Sequence, residues 1–144
     1  MHVSALLKRK GRDVVTVRPD DTAAAAAGVL AQHRIGAVLV SDGDGMPAGI
    51  LSERDIVRHV AADGAAVLAK PVSALMTSDL VTIGPDTTDA EALALMSERR
   101  VRHLPVIDDG KLVGLISIGD VVKARLDGAE LEVESLRGYV AGIG

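Results

Sequence analysis

The chain repeats itself once at an offset of about 65 residues, and this constrains its fold more than any single motif does. Val3-Ser4-Ala5-Leu6-Leu7 returns as Val72-Ser73-Ala74-Leu75-Met76, and Thr16-Val17 with Pro19-Asp20 returns as Thr82-Ile83 with Pro85-Asp86. Gly49-Ile50-Leu51-Ser52 with Asp55-Ile56-Val57 returns as Gly114-Leu115-Ile116-Ser117 with Asp120-Val121-Val122. Two copies are too few for a solenoid and predict a pair related by a pseudo-twofold axis. The expected division is repeat 1 over 1–66 with a lead-in helix, repeat 2 over 67–127 and a helical tail over 128–144.

Within each copy the periodicity changes in the same order. Residues 14–17 and 80–83 are β-branched-rich runs closed by proline, which predict strands. Thr22 and Thr88 stand where N-caps belong, ahead of Ala24, Ala27, Leu30 and of Ala90, Leu93, Met96 at helical spacing. Further strands are expected over 37–40 and 104–107, with turn chemistry at Asp42-Gly43-Asp44-Gly45 and Asp108-Asp109-Gly110 leading into strands that end at Ser52 and Ser117. Helices over roughly 53–62 and 118–126 close the copies, and 130–144 predicts one more helix carrying Leu131, Val133, Leu136 and Tyr139. The β-α-β-β-α order implies an α+β fold of two small mixed sheets, each covered by helices.

Composition narrows the function. The chain is 48% hydrophobic but has no Phe, Trp or Cys and a single tyrosine, Tyr139, so aliphatic side chains must build the core. Without cysteine there is no disulfide, thiolate nucleophile or Cys-based zinc site, and a reducing compartment is expected. A net charge of −4 and one aromatic disfavour a nucleic-acid partner. The longest apolar run, Ala23 to Ala31, is far short of the ~20 residues that span a bilayer, and Met1 to Leu7 does not resemble a signal peptide. A cytoplasmic protein with no membrane association is therefore expected. His2, His33, His59 and His103 lack metal-ligand spacing, and no metal site is predicted. His33-Arg34 closes a predicted helix, where positive charge suits the dipole.

The pattern with chemical content is Gly-apolar-apolar-Ser-x-x-Asp at a strand-to-helix junction, present as Gly49 to Asp55 and as Gly114 to Asp120. One occurrence alone is a capping box, with Ser satisfying an amide and Asp on the positive end of the helix dipole. Its duplication favours ligand sites. A helix N-terminus attracts phosphate, the upstream glycine allows close approach, and a neighbouring carboxylate suits ribose hydroxyls by analogy with dinucleotide folds.

The two units resemble cystathionine β-synthase (CBS) domains over about Val3 to Leu126. Ser52-Glu53-Arg54-Asp55-Ile56-Val57-Arg58 and Arg102-His103-Leu104-Pro105-Val106-Ile107-Asp108 are similar in particular to small bacterial proteins made only of a CBS pair. The resemblance implies a regulatory module, often a disc-shaped homodimer, that binds AMP, ADP, ATP, NAD or S-adenosylmethionine. It places Asp55 with Ser52 and Asp120 with Ser117 and Gly119 on ribose and phosphate. Val14-Val15 would lie against adenine in one cleft and Leu80-Val81 in the other. Basic residues before the second strand would take the phosphates. Arg102-His103 match that feature, Gly36-Ala37 do not, and Arg54 is a further candidate for phosphate. On this pattern the cleft of Ser117 and Asp120 is expected to have Arg102 and His103 nearby and to bind more tightly, because charge-assisted bonds are roughly twice as strong as neutral ones.

No catalytic residue is expected. Asp55 or Asp120 could serve a nucleotide hydrolase, but the sequence has no metal cluster or Walker-type lysine to accompany them. The alternative to nucleotide sensing is a ligand-free dimerisation adaptor. With no output domain, regulation is expected to act in trans on an unknown protein.

Overall fold

A computed structural model describes residues 1–43 and 46–143, without the side chains of 130–135 and 137–143. Asp44 and Gly45 of the expected turn, and the side chains of Leu131, Val133 and Tyr139, lie outside the described residues. Helix α1 (Val3–Lys10) leads into the first unit: β1 (Thr16–Val17), α2 (Ala23–His33), β2 (Ala37–Val40), β3 (Gly49–Ser52) and α3 (Glu53–Asp63). Two 3-10 turns at Ala65–Ala69 and Val72–Ala74 connect it to the second unit: α4 (Asp89–Arg99), β4 (His103–Asp108), β5 (Lys111–Ser117) and α5 (Ile118–Ile143). In the first sheet β1 runs parallel to β2 and β2 antiparallel to β3; the second sheet is the antiparallel pair β4-β5. The fold is α+β, built from a duplicated unit.

Local chemistry sets the helix ends. The hydroxyls of Thr22 and Thr88 accept the amides of Ala25 and Glu91, both at 3.1 Å, each satisfying one orphan donor of the first helical turn. Helices α2 and α4 stop on Arg34 and Arg100 in the left-handed region, with φ of 54° and 55°. The helix expected to end near Leu126 continues to Ile143, so it and the expected tail helix are one element. Gly128 does not interrupt it: a mid-helix glycine costs only about 1 kcal/mol relative to alanine.

The first strand of each copy is shorter than its β-branched run predicts. In the first unit it spans only Thr16–Val17, and in the second it shrinks to one parallel bridge between Ile83 and Val106. Pro105 explains the second case. Leu39 donates its amide to the Val15 carbonyl at 3.3 Å, and Ser41 donates to Val17 at 2.9 Å. In the second unit Ile107 donates to Ile83 at 2.8 Å, but the counterpart of Leu39 is Pro105, which has no N–H to offer Val81.

The lead-in segments are exchanged. Val3 donates to the Thr87 carbonyl at 2.8 Å and Ser4 to Pro85 at 3.0 Å; their repeat counterparts Val72 and Ser73 donate to Asp21 at 2.7 Å and Pro19 at 3.0 Å. Val3, Leu6 and Leu7 are buried with Met96, Leu104, Val106 and Ile116 in the second core, whereas Val67, Val72 and Leu75 are buried with Val38, Val40 and Leu51 in the first. Each unit's core is thus completed by a segment that precedes the other.

Candidate functional site

Strand β3 delivers Ser52 to the start of α3, where Ser52 and Asp55 form a reciprocal capping box. Asp55 donates its amide to Ser52 Oγ at 3.1 Å, and Ser52 donates its own to Asp55 Oδ2 at 2.9 Å. The bland description of the motif is therefore structurally correct, but it is incomplete. Asp55 is only 6% exposed and also lines a cavity of about 130 Å³ that opens to solvent.

Both units contribute to this cavity. Ser52, Arg54, Asp55 and Arg58 come from the β3–α3 junction; Leu80, Val81, Arg100, Arg102 and His103 come from the second unit. Arg58 donates to Asp55 Oδ1 at 2.8 Å from one turn along α3, with its guanidinium 75% exposed and free to adjust. Four arginines and one histidine therefore share the cavity wall with the buried Asp55 and with Glu53 and Asp79.

Arg102 and His103 line the cavity of Asp55, and His103 is also paired with Ser117 across the second sheet and within reach of the Asp120 charge, so the basic pair stands between the two motif carboxylates. Ser117, Gly119, Asp120, Val14 and Val15 are not in the walls of this cavity. Leu80 and Val81 do line it; Val81 and Val15 each pack against the core of their own unit, but the Val15 carbonyl is taken by Leu39. His103 lies against Gly36, where an added Cβ would be 3.4 Å from its imidazole. Burial, and then the charge of Lys10, hold His103 below its ordinary pKa, with Arg102 adding to the effect and Asp120 and Glu53 opposing it.

The motif glycines serve the lead-in exchange rather than a ligand's approach. A Cβ on Gly49 would lie 2.7 Å from Met76 Sδ and 2.8 Å from the Thr77 carbonyl, and one on Gly114 would lie 2.6 Å from Leu7 Cδ2. Gly119, the counterpart of Arg54, has only Ser117 Oγ near its Cβ position, at 3.6 Å. Sequence reasoning missed Arg58, Arg100, Asp79 and Pro105 as wall residues. The cluster Arg99-Arg100-Val101-Arg102-His103 was the available signal for Arg100, and the helical spacing of Asp55 and Arg58 was the signal for Arg58.

Asp120 sits in an equivalent capping box, donating to Ser117 Oγ at 3.1 Å while Ser117 donates to its Oδ2 at 2.8 Å. Burial pushes its pKa up, but the Lys10 ammonium and the Ser117 amide and hydroxyl outweigh that and hold the carboxyl below its usual range. Among the described residues no group of three or more His, Cys, Asp or Glu could hold a metal ion, and no helix is long and apolar enough to cross a membrane.

Comparison with known proteins agrees with the duplicated fold. The family model described as CBS domain matches residues 5–62 and again 72–127. The crystal structure of a CBS-domain containing protein from Agrobacterium tumefaciens superposes with a TM-score of 0.85 at 51% identity, covering 87% of this chain and 99% of that one. A CBS domain protein from Pyrobaculum aerophilum, solved in complex with AMP, gives a TM-score of 0.72 at 30% identity over 83% of this chain and 89% of its own. Among curated relatives, the mitochondrial CBS domain-containing protein CBSX3 of Arabidopsis thaliana is 35% identical over 97% of this chain and 72% of its own length.

Proposed function

The chain belongs to the CBS domain family, and from that premise we propose that it is a regulatory module that binds an adenosine nucleotide in the Asp55 cavity and acts in trans on a partner protein. The observation that carries this is the convergence, in one cavity, of a buried carboxylate, four arginines and the first-strand segment Leu80-Val81. Asp55 accepts the ribose hydroxyls. Arg54, Arg100, Arg102 and His103 take the phosphates, and Arg58 turns from Asp55 to join them. Because Pro105 offers Val81 no amide, the Val81 carbonyl accepts the exocyclic amine of adenine. A phosphorylated adenosine of the AMP, ADP, ATP or NAD class satisfies all three, and the AMP-bound Pyrobaculum relative supports that class. The role is binding rather than catalysis, in the cytoplasm.

We also assign a homodimer. Ile118, Val122 and Leu126 recur at four-residue spacing on α5 and are 37%, 43% and 60% exposed; Val57, the repeat counterpart of Val122, is exposed on α3. A second copy covering this stripe removes it from water. Sedimentation of Leu126→Lys, expected to shift a dimer toward monomer, checks the assignment.

Isothermal titration with AMP, ADP, ATP, NAD and adenosine tests the nucleotide reading. A phosphorylated member is expected to bind, with adenosine weaker. No heat from any of them at millimolar concentration overturns the reading and leaves the ligand-free adaptor.

A further inference from the structure

The two motif carboxylates are held alike and partnered differently. Asp55 is met by Arg58 from its own helix, an exposed guanidinium. Asp120 is met by Lys10, whose ammonium lies 2.6 Å from Oδ2 and comes from α1, 110 residues away in sequence. The same ammonium donates to the Leu115 carbonyl at 2.5 Å. Leu115 is the counterpart of Ile50, which lines the first cavity and whose carbonyl accepts the Thr77 amide at 2.9 Å. In the second unit one lysine side chain thus takes both the motif carboxylate and the adjoining strand carbonyl.

Lys10 is delivered by an anchored helix. Val3, Leu6 and Leu7 bury α1 in the second core, and Arg9 pairs with Asp127 of α5 at 2.9 Å. The side chains of Lys10 and Asp120 remain 34% and 24% exposed, so the contact is reachable from solvent and can be exchanged. Releasing Asp120 to a ribose hydroxyl replaces an ion pair with a hydrogen bond from a neutral donor, and the freed ammonium must be accommodated elsewhere.

We infer that Lys10 gates the second cleft: a nucleotide reaches Asp120 only by displacing the Lys10 ammonium, so the cleft at Asp120 binds after, and more weakly than, the cavity at Asp55. The inference rests on the nucleotide reading of the Asp55 cavity and assigns α1 a specificity role beyond packing. It also reverses the order expected from sequence, in which the Asp120 cleft was the tighter one.

The test is calorimetric titration of the full chain with AMP. Wild type is expected to show one tighter site and a second weaker by about ten-fold or more. Lys10→Met, which keeps the aliphatic stem, is expected to tighten the second event about ten-fold, more than the first, which feels Lys10 only through its charge near His103, while Lys10→Arg preserves the inequality. Two equal sites in wild type overturn the gate. So does a Lys10→Met variant whose second event is unchanged or weaker, the latter marking Lys10 as a phosphate ligand. If Lys10→Met fails to fold, Lys10→Gln is titrated in its place and judged by the same outcomes. Asp55→Ala separates the two readings. A first event that it abolishes, with no response to Lys10 substitution, sinks the gate alone. Absence of any AMP binding to wild type sinks both.

Discussion

Leu7 packs so tightly over Gly114 that a Cβ there would stand 2.6 Å from its Cδ2, and Met76 stands in the same relation to Gly49, with Sδ 2.7 Å from the Cβ position. The repeat therefore conserves a bare backbone under a lead-in side chain, and the exchange of lead-in segments depends on it. Alanine is expected to destabilise at both positions, but unequally. At Gly114 the obstruction is the end of a flexible side chain; at Gly49 the Thr77 carbonyl also lies 2.8 Å away, and it is held by hydrogen bonding with Ile50. Overpacking typically costs ~1–3 kcal/mol. Gly49→Ala should fall near the upper end and Gly114→Ala near the lower, read as the difference in their urea midpoints at unchanged slope. Equal losses would show that Thr77 yields as easily as Leu7.

How much of this was legible beforehand follows from how far each signal reaches along the chain. The duplication, the caps at Thr22 and Thr88 and the Ser52 and Asp55 box are local, and the residues state them directly. The exchange is not local: nothing in Val3-Ser4-Ala5 says that its amides will meet Thr87 and Pro85 rather than residues of its own repeat. The same limit explains the placement of the basic residues. The resemblance marks Arg102 and His103 as candidates for anion binding, but only the packing of the units puts them in one cavity with Asp55. The shortened strand at 80–83 was readable in part, since Pro105 announces a missing donor once it is aligned with Leu39.

His103 should make stability depend on pH near neutrality. Its folded pKa lies below the ordinary 6.5 through burial and through Lys10 and Arg102, against the opposing charges of Asp120 and Glu53. A histidine depressed in the folded state stabilises it above 6.5. As pH falls below that value the unfolded chain takes up the proton first, and the contribution is lost down to the folded pKa. The melting temperature should decline from pH 7 toward pH 5.5, with His103→Gln flattening that part of the profile. A bound phosphate beside His103 favours its protonation, so AMP binding at pH 6.5 should take up protons that the variant does not. Calorimetry in buffers of different ionisation enthalpy reads this uptake.

Asp55 combines a cap with a proposed ribose contact, and the two roles separate by measurement. Loss of the cap should lower the ligand-free melting temperature of Asp55→Ala by an amount corresponding to ~1 kcal/mol. Loss of the ribose contact, a hydrogen bond to a charged group, should raise the AMP dissociation constant about 10- to 100-fold. Asp120→Ala should lose its own cap and its contact with Lys10 while retaining the AMP response of the first cavity. A full nucleotide-induced shift in Asp55→Ala would reduce that residue to a cap.

Pro105 offers the sharpest test of how adenine is read. In the first unit Leu39 occupies the equivalent place and its amide takes the Val15 carbonyl, so that carbonyl is committed to the sheet. In the second unit Pro105 has no amide, the strand collapses to the bridge at Ile83 and Val106, and Val81 faces the cavity with Pro105 beside it. Pro105→Leu therefore makes the second unit like the first at this point. The new amide should pair with Val81, extending the parallel ladder by one hydrogen bond worth about 1 kcal/mol and offsetting part of the repacking cost. The same pairing removes the acceptor proposed for the exocyclic amine. AMP affinity should drop about ten-fold while inosine monophosphate, which lacks that amine, changes little. Amide hydrogen exchange at residue 105 should report the new bond as protection. Protection at 105 with AMP affinity unchanged would mean that the Val81 carbonyl plays no part in recognising the base.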